Sequence, residues 1–134
     1  MSYASYKNLG QLAPQPKNNY PELEQVKSEQ QRSHVIKNFK VVVIDNYTDW
    51  CGPCKQIDPQ VRELAYQFNG LIKFVKENAD DELEGGQVVT GVPCFHFYVD
   101  GKYYPNFTIN GGGVDGVKNA CSQILEQLNN HGQN

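Results

Sequence analysis

Two cysteines, Cys51 and Cys54, are separated by two residues in Asp49-Trp50-Cys51-Gly52-Pro53-Cys54-Lys55. The stretch follows an apolar run, Val41-Val42-Val43-Ile44, and precedes an amphipathic segment from Gln56 to Phe68. A strand, a loop and a helix in that order place one thiol at the first turn of the helix. A helix N-terminus carries roughly half a positive charge, which favours an anion. The thiolate is that anion, and it is also the nucleophile of disulfide exchange. With two residues between them, the second thiol can attack a mixed disulfide formed by the first. Pro53 suits an early helical position, having no N–H to satisfy and a preset φ. The same spacing serves half of a zinc site, but a structural metal needs two further ligands at suitable spacing. Cys94 and Cys121 are single and far apart, and His34, His96 and His131 form no closely spaced pair. Redox chemistry without a metal or cofactor is therefore the expectation.

That chemistry needs a scaffold, and 134 residues are enough for one domain with its own core. A net charge of −3 and the lack of a basic block argue against nucleic acid as a partner. No apolar run is long enough to span a membrane. Met1 to Lys7 holds no apolar core of a signal peptide, and two of the four cysteines share one reactive motif. Both features point to a reducing, cytoplasmic setting. Residues 1–21 are rich in Asn, Gln, Pro and Tyr and read as a polar extension unable to bury enough surface to order itself. The alternative is that Tyr3, Tyr6, Leu9 and Leu12 dock on the domain or on a partner. The domain itself is expected over 22–134.

Leu23 to Lys27 reads as a short edge strand. Ser28, with Gln31 three residues on, is a capping box for a helix running to about Asn38. Lys40 to Tyr47 is a strand buried on both faces. Asp45 and Asn46 interrupt its apolar run, and a buried aspartate is costly unless paired or protonated. Ile57, Val61, Leu64, Ala65 and Phe68 form one helical face, kinked by Pro59 and ended by Asn69-Gly70. Leu71 to Ala79 is another strand, and a short helix is expected near Asp81 to Val88, weakened by Gly85-Gly86. Gly91 to Val99 is a strand entered through Val92-Pro93. Asp100-Gly101 turns it into Lys102 to Ile109, where Pro105 marks an edge or a bulge. A last helix spans Val114 to Asn130. The order β-α-β-α-β-α-β-β-α is that of an α/β domain with crossovers first and a hairpin later.

Trp50-Cys51-Gly52-Pro53-Cys54 resembles the active site of the thioredoxin family, and the element order resembles it from about Leu23 onward. Asp45 stands where that family has a buried aspartate behind the cysteines, and Lys76 where it has a nearby lysine. Pro59 matches the kinking proline, Gly91-Val92-Pro93 the cis-proline loop, and Gly111 a glycine bordering the substrate groove. The resemblance implies the thioredoxin fold, a central mixed sheet of about five strands in order 1-3-2-4-5 flanked by four helices. It implies Cys51, at the exposed end, as nucleophile and Cys54, less exposed, as resolving thiol. Asp45, its pKa raised by burial, would take the Cys54 proton with Lys76 modulating it, unless the two simply form a structural salt bridge. Trp50, Gly52, Pro53, Val92, Pro93 and Gly111 would receive the substrate, a peptide pairing with the backbone of Val92.

The activity implied is thiol-dependent reduction of disulfides in client proteins, recycled by a thioredoxin reductase or a glutathione-type system. An interaction module with incidental thiols and a dedicated oxidase or isomerase are the alternatives. The sequence departs from the family at Cys94, usually threonine, and at Asn46 and Glu77, usually large and apolar. Strand alternation turns Cys94 away from Pro93, and Cys121 on the last helix reads as a small buried hydrophobe. Asn46 and Glu77 are expected to face one side of neighbouring strands and to hydrogen-bond each other, unless that end of the sheet is open to water.

Overall fold

The computed structural model describes residues 19–132. In chain order the elements are β1 (Glu24–Val26), α1 (Glu29–Asn38), β2 (Val41–Tyr47), α2 (Gly52–Gln67), β3 (Lys73–Asn78), β4 (Cys94–Val99), β5 (Lys102–Tyr103), β6 (Ile109–Asn110) and α3 (Val114–Gly132). The sheet runs β1-β3-β2-β4-β5, with β6 also on β4. β1, β3 and β2 are parallel; β4 is antiparallel to β2, and β5 and β6 to β4. This is the expected thioredoxin-fold order. β5 pairs with the C-terminal end of β4 and β6 with its N-terminal end. They are two pieces of one edge strand, parted by a 3₁₀ turn at Pro105–Phe107. Proline lacks the N–H that a ladder needs, and the edge breaks at the expected residue.

Alternation along β2 divides the interior in two. Val41 and Val43 join the core made with Val61 and Leu64 of α2 and with Val117, Cys121, Ile124 and Leu125 of α3. Val42 and Ile44 face the other way, onto Val26, Val35 of α1, Val75 and Tyr98. Asp45 therefore falls on the α2 face of the sheet, and Asn46 on the α1 face. Cys121 is wholly buried, and burial pushes its thiol far up in pKa. That fits a small hydrophobe rather than a reactive group.

Helix starts follow their local chemistry. Ser28 Oγ accepts the Gln31 N–H at 3.1 Å. Gln31 Oε1 in turn accepts an N–H at 2.8 Å from Lys27, one residue before the cap. The expected helix near residues 81–88 is absent. Ala79–Asp81 forms a single 3₁₀ turn, and Glu82 (φ 49°) and Gly85 (φ 79°) are left-handed, which a right-handed helix cannot continue through. Three α-helices thus flank the sheet among the described residues, rather than four.

The expected boundary between extension and domain fell at residue 21. Tyr20, on the extension side of it, is buried against Tyr66 with ring centroids 5.4 Å apart, and its hydroxyl donates to Glu63 at 3.4 Å. Tyr3, Tyr6, Leu9 and Leu12 lie outside the described residues.

The expected Asn46–Glu77 pair does not form. The two are register partners on β2 and β3, as alternation required. Glu77 instead receives a two-pronged contact from Arg32 of α1, Nε to Oε1 at 2.9 Å and Nη2 to Oε2 at 2.7 Å. A planar guanidinium matches both carboxylate oxygens and carries full charge, which an asparagine amide cannot equal. Arg32 also donates to the carbonyls of Glu84 at 2.7 Å and Leu83 at 3.4 Å, tying the irregular 82–91 segment to α1. Asn46 Nδ2 donates to the Cys94 carbonyl at 2.9 Å and lies 3.2 Å from His96 Nδ1.

Candidate active site

β2 carries the chain out of the sheet at Tyr47, and the loop Thr48 to Trp50 delivers Cys51 to the start of α2. Cys51 is the N-cap of that helix. Its N–H donates to the Thr48 carbonyl at 3.3 Å, and its Sγ accepts the Cys54 N–H at 3.1 Å. A sulfur held there sits at the positive end of the helix and receives one of its unpaired amides. Cys51 and Cys54 form a disulfide, with Cα atoms 5.3 Å apart. The expected order of exposure is reversed. Cys51 is 3% exposed and Cys54 8%. The N-cap position folds Cys51 back over the first helical turn, so exposure does not single it out, whereas the amide at its sulfur does.

Below the disulfide lies a cavity of about 250 Å³ lined by Asp45, Tyr47, Thr48, Asp49, Cys54, Lys55, Asp58 and Lys76. Asp45, Cys54 and Lys76, picked out separately from the sequence, are thus brought to one space. Asp45 is buried, and its pKa is raised from 3.8 to about 7. Burial is the main cause, the Asp58 carboxylate adds to it, and Lys76 opposes it. Lys76 is the register partner of Asp45. No ion pair joins them among the described residues, and the Lys76 ammonium lies over the Tyr47 ring, 5.0 Å from its centroid. The Tyr47 hydroxyl accepts a hydrogen bond from Gln25 Nε2. The salt-bridge alternative for Asp45 and Lys76 is therefore not what forms.

The proposed substrate face is partly assembled at the same end of the sheet. Trp50 is 72% exposed, and its indole N–H donates to Asp80 Oδ2 at 2.9 Å. Gly52 and Pro53 are exposed beside it. Val92-Pro93 is cis, as expected. Pro93 is the residue before β4, and Cys94 of β4 pairs with Asn46 near the outgoing end of β2. The Pro93 carbonyl accepts the N–H of Gly111 at 2.8 Å. Gly111 has φ 68°, which glycine adopts at no steric cost.

Cys94 faces the α1 side with Asn46, away from Asp45. Its thiol lies 3.4 Å from His96 Nε2 and is raised in pKa, first by burial and then by Asp45. Among the described residues no three His, Cys, Asp or Glu side chains gather as a metal site.

Two residues of the site were missed from sequence. Asp58 follows Cys54 by four positions, which puts both on one face of α2, and that spacing was a usable signal. Asp80 reaches Trp50 only through the 3₁₀ turn after β3, for which no pattern in the chain prepares.

A family model described as thioredoxin matches residues 22–121. The chain belongs to the thioredoxin family. It is 46% identical over 72 residues to the chloroplastic thioredoxin M-type of Brassica napus, and 29% identical over 105 residues to thioredoxin 1 of Plasmodium falciparum. These stretches are 52% and 77% of this chain. The matched stretch spans 41% of the Brassica protein and 39% of the chloroplastic thioredoxin M2 of Arabidopsis thaliana, but 90% of the Plasmodium one. Among solved structures, a Plasmodium falciparum thioredoxin superposes with a TM-score of 0.64 at 26% identity, covering 78% of this chain and 98% of that one. A Malassezia sympodialis thioredoxin gives 0.68 at 26%, covering 77% and 93%. The likeness reaches from the sheet order to the Trp50-Cys51 to Cys54 motif at the head of α2.

Proposed function

We propose that this thioredoxin-family protein reduces disulfides in client proteins by dithiol–disulfide exchange. The observation that carries the reading is the Cys51 sulfur, capping α2 and disulfide-bonded to a Cys54 that shares a cavity with a raised-pKa aspartate. In the reduced protein the Cys51 thiolate attacks a client disulfide and expels one client thiolate, leaving a mixed disulfide. Cys54 then gives its proton to ionised Asp45, directly or through a cavity water, and its thiolate attacks the Cys51 sulfur. The Cys51–Cys54 disulfide forms and the second client thiolate leaves, so two electrons pass from the dithiol to the client. An acceptor with a pKa near 7 is matched to this task at neutral pH, being about half ionised and still basic. Lys76 modulates that balance by favouring the ionised form.

Trp50, Gly52, Pro53, Val92, Pro93 and Gly111 form the face on which the client lies, its backbone pairing with that of Val92. The partners are disulfide-bearing clients and a recycling thioredoxin reductase or glutathione-type system. A cytoplasmic setting suits a reductant. No helix among the described residues is long and apolar enough to cross a membrane. The test is reduction of insulin with dithiothreitol as the electron source. The protein accelerates precipitation of the insulin B chain, Cys51→Ser abolishes the acceleration, and Cys54→Ser accumulates a mixed disulfide visible by mass. Failure of the native protein to accelerate precipitation would refute the reading.

A further inference from the structure

The cavity beneath the disulfide is lined by three carboxylates, Asp45, Asp49 and Asp58, where one is enough to accept a proton. Cys54 and Asp58 stand one turn apart on α2 and both line it, opposite Asp45 of β2. Asp58 is not a loose surface charge. Its Oδ2 lies 2.7 Å from Arg62 Nε, and Arg62 is held in turn by Glu22 Oε1 at 3.1 Å from Nη2. An ion pair on the side of Asp58 fixes the carboxylate in place, while the cavity joins it to Asp45.

We propose that Asp58 is a positioning residue of the resolving step: held by Arg62 one turn beyond Cys54, its negative charge opposes ionisation of Asp45 across the shared cavity and makes Asp45 a stronger acceptor for the Cys54 proton. The inference rests on the disulfide-exchange reading and adds a residue to it. The step balances as before, the proton passing from Cys54 sulfur to an Asp45 oxygen and the electron pair from Cys54 sulfur to the Cys51–Cys54 bond. Asp58 neither gains nor loses a proton in it.

The other charged and titratable groups around Asp45 set the background. Tyr47 and Asp49 come from β2 and its loop, Lys55 and Cys54 from α2, and Lys76 from β3. Cys94 of β4 is coupled to Asp45 through its charge. Lys76 acts against Asp58, and of the two Asp58 has the larger effect on Asp45. Removing Asp58 leaves burial alone to oppose Lys76, so Asp45 ionises at lower pH and becomes a weaker base.

The experiment follows the Asp45 side-chain carboxyl carbon by NMR as pH is varied in the full-length native protein, Asp58→Asn and Asp58→Glu, with Asp45→Asn to assign the signal. In parallel the pH profile of insulin reduction is recorded. The expected result is a downward move of the Asp45 midpoint by about 0.5 pH unit or more in Asp58→Asn, little change in Asp58→Glu, and a matching move of the activity profile. A midpoint in Asp58→Asn that superposes on the native one overturns the proposal, as does an equal shift in Asp58→Glu. An activity profile that stays put while the midpoint moves also overturns it. Arg62→Gln keeps the Asp58 charge, so a shift there as large as in Asp58→Asn would assign the effect to the helix packing instead. The NMR midpoint is read without any client, so absence of insulin reduction in the native protein would refute the functional reading separately.

Discussion

A buried acid with a raised pKa makes a protein less stable as the pH rises, and replacing Asp45 with asparagine should remove that dependence. The folded protein binds the Asp45 proton up to about pH 7, whereas the unfolded chain releases it near 3.8. Between those values the native state holds more protons than the unfolded state, so stability falls with rising pH and levels off above about 7. The span is roughly three units at about 1.36 kcal/mol each, or about 4 kcal/mol in full. Within the range convenient for urea denaturation, pH 5 to 8.5, linkage leaves about 2–3 kcal/mol of it to be seen. His96 works the other way. Burial lowers its pKa, so its contribution is lost as pH falls below its ordinary 6.5. The quantity to measure is therefore the difference between native protein and Asp45→Asn, both oxidised, in which His96 cancels. The variant should gain on the native protein steadily from pH 5 to about 7 and hold a constant advantage above it. Stability curves that run parallel through that range would show that Asp45 titrates normally. The electrostatic basis of the proton-acceptor role would then be lost.

Three further outcomes are expected. In the reduced protein at neutral pH, iodoacetamide should label Cys51 before Cys54, because the helix amide stabilises the Cys51 thiolate; peptide mass mapping showing the reverse order would exchange their roles. Arg32→Leu should cost about 3–5 kcal/mol in urea denaturation by leaving Glu77 buried and unpaired, and adding Glu77→Leu should restore most of it. A double variant no more stable than the single one would mean that the loss comes from the freed Leu83 and Glu84 carbonyls. Tyr20→Ala should lower stability by about 2–3 kcal/mol through lost burial against Tyr66, measured in the same way, and an unchanged midpoint would place Tyr20 among the dispensable contacts.

The redox motif was legible because its chemistry is local. Spacing alone puts a thiol at a helix N-terminus, and the apolar run of β2 with the striped face of α2 supplies the strand and helix that hold it. The Pro105 break was legible for a related reason, since turn residues and missing N–H groups act within a few positions, whereas the strand order came from the resemblance to the thioredoxin family. Even the facing of Asn46 and Glu77 followed from the period of two. Their partners did not. Arg32 lies 45 positions from Glu77 on a weakly patterned helix, and only the folded chain brings guanidinium and carboxylate together. The same holds for the missing helix near residue 85, whose carbonyls are taken by Arg32 once the segment lies against α1. Asp58 shows both sides. Its place on the Cys54 face was written in the four-residue spacing, but its effect on Asp45 depends on a cavity between helix and sheet. Charges act through space and desolvation depends on what surrounds a group, so the sequence determined which groups are present and the packing of α2 on β2 decided their protonation.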